Sequence, residues 1–157
     1  MHHLLDPQAQ PLLPRRRALA TAGATLSATA IALLAGRDAL AAKTGQTSAQ
    51  TLETDIGILN AAISAEHEAV AAYQVGAESG LLSKGVLTVA VQFQGHHQAH
   101  AALLSSAVTK LGGQAASAKE KYNFPVETLK VEADVLRFAA GLERAAVSAY
   151  LGARSEE

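Results

Sequence analysis

The sequence predicts an all-α protein folded as a helical bundle. The chain has 157 residues, of which 49% are hydrophobic and only 4% aromatic, and much of the hydrophobic fraction is alanine, the best helix former. Apolar residues recur at alternating spacings of three and four, the pattern of a packed helix. Long alternating runs of Val, Ile and Thr, the usual signal of strands, are absent. The length fits one domain.

The first predicted helix runs from about Thr54 to Ser79, and Gly80 ends it. Thr54 is the expected cap, and Asp55 is expected in the first turn, where negative charge meets the helix dipole. We use the word seam for the line of positions on a helix that faces its neighbours. Five of the six seam positions are apolar or aromatic, and the sixth is a carboxylate: Ile56, Leu59, Ile63, Glu66, Val70 and Tyr73.

The second predicted helix runs from about Ser83 to Leu111 and stops at the glycine pair 112–113. Histidine interrupts its seam, which comprises Val86, Val89, Phe93, His96 or His97, His100, Leu104 and Leu111. A polar connection over 112–128 follows. A connection of this length is typical of a bundle whose next helix starts at the far end of the previous one.

The third predicted helix runs from about Thr128 or Val131 to Gly152, and its seam also contains a carboxylate: Leu136, Ala139, Glu143, Ala146 or Val147, and Tyr150. Residues 143–150 repeat residues 66–73 at five of eight positions, including the Glu, Val and Tyr on one helical face. The repeat indicates that the first and third helices are equivalent halves of a pseudo-symmetric bundle.

Carboxylates in an apolar seam are costly unless they are paired or bind a metal. Glu66 and Glu143 on two helices, with the histidines at 96, 97 and 100 between them, form a cluster that suits iron, manganese or zinc. The alternative is a core histidine, such as His100, that is hydrogen-bonded to one of the carboxylates without a metal.

These features resemble the ferritin-like domains of exported bacterial proteins over residues 54–152. The resemblance rests on Glu66 with Tyr73, on the histidine run before the glycine pair, and on Glu143 with Tyr150. It implies a di-iron or manganese site. Glu66 and Glu143 would be carboxylate ligands and His100 the imidazole ligand, while His97 stands where the family has a carboxylate. The predicted metal residues are therefore Glu66, His97, His100 and Glu143, and a chain without bound metal is the alternative.

The resemblance also implies a fourth helix with a further Glu-x-x-His after the segment Ala149 to Ala153, and the sequence lacks it. Such a gap leaves an apolar groove beside the polar cluster. We therefore expect either a truncated product or a partner that covers the groove, with self-association as the simplest solution.

Residues 1–42 have the order of a signal peptide: Arg15 to Arg17, the uncharged stretch from Ala18 to Gly36, and small residues from Ala39 to Ala42. The arginines and the weakly hydrophobic core resemble a twin-arginine signal, which predicts export to the periplasm with cleavage after residue 41 or 42. Residues 43–53 are then a linker and 54–157 the ferritin-like domain. An uncleaved anchor is the alternative, although Thr, Ser and Gly make this stretch a poor membrane span.

Three functions remain open at this point. The first is a periplasmic oxidase or ferroxidase, the second a stress-related metal-binding protein without turnover, and the third a structural bundle that uses Glu–His hydrogen bonds instead of metal. The absence of cysteine excludes disulfides and thiolate sites within the chain. Nucleic acid is not an expected partner, because the chain beyond the signal segment has no clustered basic face.

Overall fold

The computed structural model describes residue 26 and residues 28–42 and 48–154, with side chains over the same ranges except 28, 29, 40 and 147–154. These ranges contain five α-helices and no strand, which confirms the predicted fold class. Three helices are long and form the bundle. The helices are α1 (Ala28–Leu34), α2 (Asp38–Ala41), α3 (Ala49–Glu78), α4 (Lys84–Lys110) and α5 (Glu132–Arg154), with a short 3-10 turn at Val126–Thr128.

The start of α3 corrects the prediction at Thr54. Helix α3 begins at Ala49, because the Ser48 hydroxyl accepts a hydrogen bond of 3.1 Å from the backbone N–H of Thr51 and so caps the first turn. The Thr54 hydroxyl instead donates to the carbonyl of Gln50 within the helix. Asp55 is consequently fully buried in the second turn rather than placed at the helix end. The last residues of the predicted linker 43–53 belong to this helix.

The seam of α3 is confirmed, and it forms the centre of the molecule. Leu59 and Ile63 are buried and pack against Ala107 and Val108 of α4. The helix ends predicted at the glycines are also confirmed. Gly80 and Gly112 have positive φ angles of 70° and 82°, a conformation that glycine adopts without steric cost. Helices α3 and α4 therefore form an antiparallel hairpin.

The predicted seams of α4 and α5 are partly wrong. Val89 and Phe93 on α4 and Leu136 on α5 are exposed, and the buried residues of α4 are instead Ala101, Ala107 and Val108. Among the described side chains of α5, the neighbouring Val135 is the buried one, and it lies against Gly76 of α3. The heptad pattern identified faces that could be buried, but the described helices cover only one flank of α4.

The long connection after α4 is fastened to α3. Asn60 donates to the carbonyl of Gln114 (3.0 Å) and accepts from the N–H of Ala116 (2.7 Å). At the far end, the Glu132 carboxylate accepts a 2.6 Å hydrogen bond from the N–H of Ser83, the residue that precedes α4. Helix α5 therefore begins at the end of the bundle where α4 begins, as the length of the connection predicted.

Part of the predicted signal segment packs onto the hairpin. Ala30, Ala32 and Leu33 of α1 are buried, and Leu33 joins the core cluster around Leu59 and Val108. Asp38 of α2 forms an ion pair of 2.8 Å with Lys110 of α4. Arg15 to Arg17 and residues 43–47 lie outside the described residues. No helix among the described residues combines the length and the apolar character that a membrane crossing needs.

Candidate metal centre

Three long helices each bring predicted site residues to one place on the bundle. Glu66 comes from α3, His97 and His100 from α4 and Glu143 from α5. His97 and His100 are three residues apart, so they project from the same side of α4. Glu66 is 8% exposed, and a carboxylate this deeply buried must be compensated by partners.

His97 is the centre of this cluster because both of its ring nitrogens face carboxylates. Its Nδ1 lies 2.7 Å from Glu66 Oε2, and its Nε2 lies 3.2 Å from Glu143 Oε1. The imidazole thus bridges α3 and α5. His97 therefore joins the two carboxylates that the internal repeat had placed at equivalent positions.

His100 completes a group with the composition of a metal site. Its Nδ1 lies 3.6 Å from Glu66 Oε1, and its side chain is 58% exposed. One ligand atom each from Glu66, His97 and His100 can be chosen so that all three lie within 4.8 Å of one another. For ligands about 2.1 Å from a metal, neighbouring donor atoms lie about 3.0–3.4 Å apart. The spacing of the group is therefore compatible with one metal ion.

Glu143 stands beside this group and is tied to Tyr73. The Tyr73 hydroxyl donates a 2.7 Å hydrogen bond to Glu143 Oε1, the oxygen that also faces His97. Burial raises the pKa of Tyr73 well above its usual value, and the neighbouring Glu143 carboxylate raises it further. Tyr73 is therefore a protonated donor at neutral pH. The side chain of Tyr150 lies outside the described residues.

Sequence reasoning left His96 and His97 as alternatives, and the structure distinguishes them. His96 is exposed, and its ring lies against Phe93 at 5.8 Å between centroids, away from both carboxylates.

Sequence reasoning did not identify Gln94 as a residue that supports the site. Its amide donates to the carbonyl of Val70 (3.1 Å) and to Gln74 Oε1 (2.7 Å), which fixes α4 against α3 one turn before His97. The signal available in the sequence was that Gln94 lies three residues before His97, a spacing that puts both side chains on the same side of a helix.

The comparison with protein families agrees with this architecture. Residues 54–156 match the model of the ferritin-like domain. The chain belongs to this family. No curated protein and no solved structure matches the chain. In this ferritin-like protein, the residues that meet at the middle of the bundle are a carboxylate and two imidazoles, with a second carboxylate hydrogen-bonded behind one of them.

Proposed function

We propose that this ferritin-like protein is an exported metal-binding protein that holds one iron or manganese ion through Glu66, His97 and His100. Oxidase or ferroxidase-type chemistry is the reaction class that we assign to it. One observation supports the proposal above all: these three side chains, from two helices, present ligand atoms within 4.8 Å of one another. Oxygen and imidazole donors together suit both metals.

The hydrogen bonds around His97 assign a role to each neighbour. If Nε2–H donates to Glu143, then Nδ1 carries the lone pair and faces the Glu66 carboxylate as a ligand. Metal-binding histidines commonly donate their other ring N–H to a carboxylate, which orients the ring and raises its basicity. In turn, Tyr73 holds Glu143 in position through its hydroxyl. Glu143 is therefore assigned to orienting His97 rather than to binding the metal directly.

A bound iron or manganese would supply one-electron chemistry toward oxygen or peroxide. The buried Glu66 and the largely enclosed His97 hold the inner side of the site, while the exposed ring of His100 leaves its outer side accessible to small molecules. The described residues contain one such group of three ligands. The proposal is accordingly for one metal ion per chain, and a di-metal site needs ligands from outside this group.

A metal-free structural bundle is the alternative, and one observation favours it. His97 is already within hydrogen-bonding distance of both carboxylates. A protonated imidazole ring donates from both nitrogens and would satisfy Glu66 and Glu143 directly. In that case the cluster is a buried polar network that joins the three long helices.

The metal content of purified protein separates these two functions. After loading with Fe²⁺ or Mn²⁺ and removal of free metal, we expect about one ion per chain. We expect Glu66→Gln to lose most of it, because the substitution removes the charged ligand but preserves the shape. His67→Gln is the matched control, since His67 is the next residue on α3 and is not one of the three ligands. Equal metal content in wild type and Glu66→Gln would refute the metal site.

A thermal melt gives the second measurement. A ligand that binds only the folded state stabilises it by about 2.7 kcal/mol at a concentration 100 times its dissociation constant. We expect excess metal to raise the melting temperature of the wild type but not that of Glu66→Gln. In the metal-free structural bundle, excess metal would leave both melting temperatures unchanged, and Glu66→Leu would be destabilising, because it leaves the largely enclosed His97 without an acceptor for its Nδ1–H.

Export is supported by the order of residues in the first 42 positions, namely Arg15 to Arg17, an uncharged stretch and Ala39 to Ala42. We expect the exported form to begin near Ala42 or Lys43, and its intact mass would reveal this. An exported protein that still carries Met1 would argue against cleavage.

A further inference from the structure

The rotation of α4 about its own axis decides which histidine faces the carboxylates, and apolar packing fixes that rotation in the second half of the helix. Ala101, Ala107 and Val108 are buried there. From residue 84 to residue 100, by contrast, every side chain is exposed or half-buried. Because the burial of an apolar stripe is what normally sets the inward face of a helix, another interaction has to set it in this first half.

Two neighbouring rows of side chains compete for the inward face in the first half of α4. The inward row is half-buried and consists of Ala90, Gln94 and His97. The residues one position earlier lie about 100° around the helix, and they are exposed: Val89, Phe93 and His96. A valine and a phenylalanine bury more apolar surface than an alanine and a glutamine, so the hydrophobic effect favours the exposed row. The hydrophobic effect alone therefore does not explain the observed rotation.

Gln94 makes the contacts that explain this rotation. Its amide group donates one N–H to the carbonyl of Val70 (3.1 Å) and the other to Gln74 Oε1 (2.7 Å), and both acceptors belong to α3. Gln94 lies three residues before His97, so the two side chains project from the same side of α4. A turn of this half by about 100° would break both hydrogen bonds of Gln94. It would also move His97 away from Glu66, whose Oε2 lies 2.7 Å from the His97 Nδ1.

We propose that Gln94 is a positioning residue that selects His97 instead of His96 as the partner of Glu66. A single polar residue in an otherwise apolar helix interface can fix how two helices meet, at a cost in stability. Here the cost is that Phe93 remains 41% exposed. The rotation of α4 is independent of any metal, whereas its consequence for metal binding rests on the proposed function, in which His97 is a ligand.

The first test measures ring contacts by NMR in the full-length, metal-free chain. In the wild type we expect a nuclear Overhauser contact between the rings of Tyr73 and His97, whose centroids are 5.3 Å apart. Gln94→Met keeps the length of the side chain but removes its N–H donors, so we expect this contact to be lost. The contact of Phe93 with His96 should remain, because both rings belong to α4 and move together. A Tyr73–His97 contact that survives in Gln94→Met would overturn the proposal.

Two further variants distinguish positioning from a general loss of packing. Gln92→Met is the matched control, since Gln92 is an exposed glutamine of α4, and it should retain the Tyr73–His97 contact. Adding Phe93→Ala to Gln94→Met removes the apolar gain that favours the other rotation, so we expect the double variant to recover the contact. A general loss of packing would instead grow with the second substitution. Failure of the double variant to recover the contact would overturn the proposal, even where Gln94→Met alone does not fold.

A titration with Mn²⁺ measures the consequence for the site. We expect at least ten-fold weaker binding by Gln94→Met than by the wild type and by Gln92→Met, because loss of the contacts that orient a ligand costs about ten- to hundred-fold in metal affinity. Loss of the ring contact without a change in metal affinity would support the positioning role of Gln94 and refute His97 as a ligand. The positioning role and the proposed function can therefore fail separately.

Discussion

At the scale of single residues, the site is a chain of hydrogen-bonded groups that crosses the bundle. Glu66 on α3 contacts His97 on α4, His97 contacts Glu143 on α5, and Glu143 accepts from Tyr73 back on α3. Each of the three long helices therefore contributes to the orientation of His97. Removing a member at the end of this chain should change the site without removing a ligand.

Tyr73→Phe tests this arrangement. The substitution deletes the hydroxyl that holds Glu143, and because Glu143 is 38% exposed, water can replace the lost donor. We therefore expect a small loss of stability, about 1 kcal/mol, and about ten-fold weaker metal binding through the loosened His97.

Denaturant unfolding and a metal titration measure the two effects. Tyr122→Phe is the control, since the Tyr122 hydroxyl accepts a hydrogen bond from Lys119 in the long connection, away from the site. Unchanged metal affinity in Tyr73→Phe would show that Glu143 does not depend on Tyr73 for its position.

The sequence allowed part of the site to be predicted. Glu66 was identifiable because it is the one carboxylate in an otherwise apolar or aromatic seam, and the structure buries it as expected. The choice between His96 and His97 was not accessible, because adjacent helical residues point about 100° apart and the rotation of α4 is set by its packing on α3. Burial of Asp55 was missed because Ser48, and not Thr54, caps the helix.

At the scale of elements, glycines defined where helices end, but packing decided which other segments become helical. The apolar stretch that indicated a signal peptide contains α1, and the same aliphatic character that marks such a signal also lets Leu33 pack on Leu59. Local sequence cannot distinguish a signal helix from a packed core helix, because the two differ in the surroundings of the helix and not in its amino-acid composition.

The contribution of α1 can be measured with Leu33→Ala in the full-length chain. Leu33 is buried in the core cluster, and truncating a buried leucine costs about 2–5 kcal/mol. Ile31→Ala on the same helix is the control, because Ile31 is 56% exposed and should cost little. Denaturant unfolding gives both values. Equal effects of the two substitutions would mean that α1 contributes no specific packing.

The junction between α4 and α5 gives a prediction about pH. The N–H of Ser83 donates to Glu132 and holds the pKa of that carboxyl below its usual value of 4.5. Since the folded-state pKa is lowered, the stabilisation is complete above the unfolded-state pKa and is lost as the pH falls through the folded-state value. Glu132→Gln should therefore melt below the wild type at neutral pH, and the two melting temperatures should converge in acid. A constant difference across this range would contradict the assignment.

At the scale of the whole molecule, the all-α class follows from composition and heptad spacing, and the family was indicated by the resemblance in the site residues and shown by the comparison over residues 54–156. The exposure of the outward face of α4 does not follow from the sequence. Periodicity shows which residues share a face, such as Val89, Phe93 and His96, but whether that face is covered depends on elements elsewhere in the chain or in a partner. An apolar groove lined by Val89, Phe93 and Leu136 lies beside this face in the described structure.

Helix α5 is attached to the bundle less extensively than α3 and α4 are to each other, and it should therefore detach first. Helices α3 and α4 pack against each other through the core cluster around Leu59 and Val108. The described contacts of α5 lie in its first half and include Glu132 with Ser83, Val135 with Gly76, and Glu143 with Tyr73. Parts of a protein with few buried contacts open without global unfolding. Backbone amides of α5 should therefore exchange with deuterated solvent sooner than those at the middle of α3. Each such opening would detach Glu143 from His97 and leave the imidazole without the carboxylate that orients it.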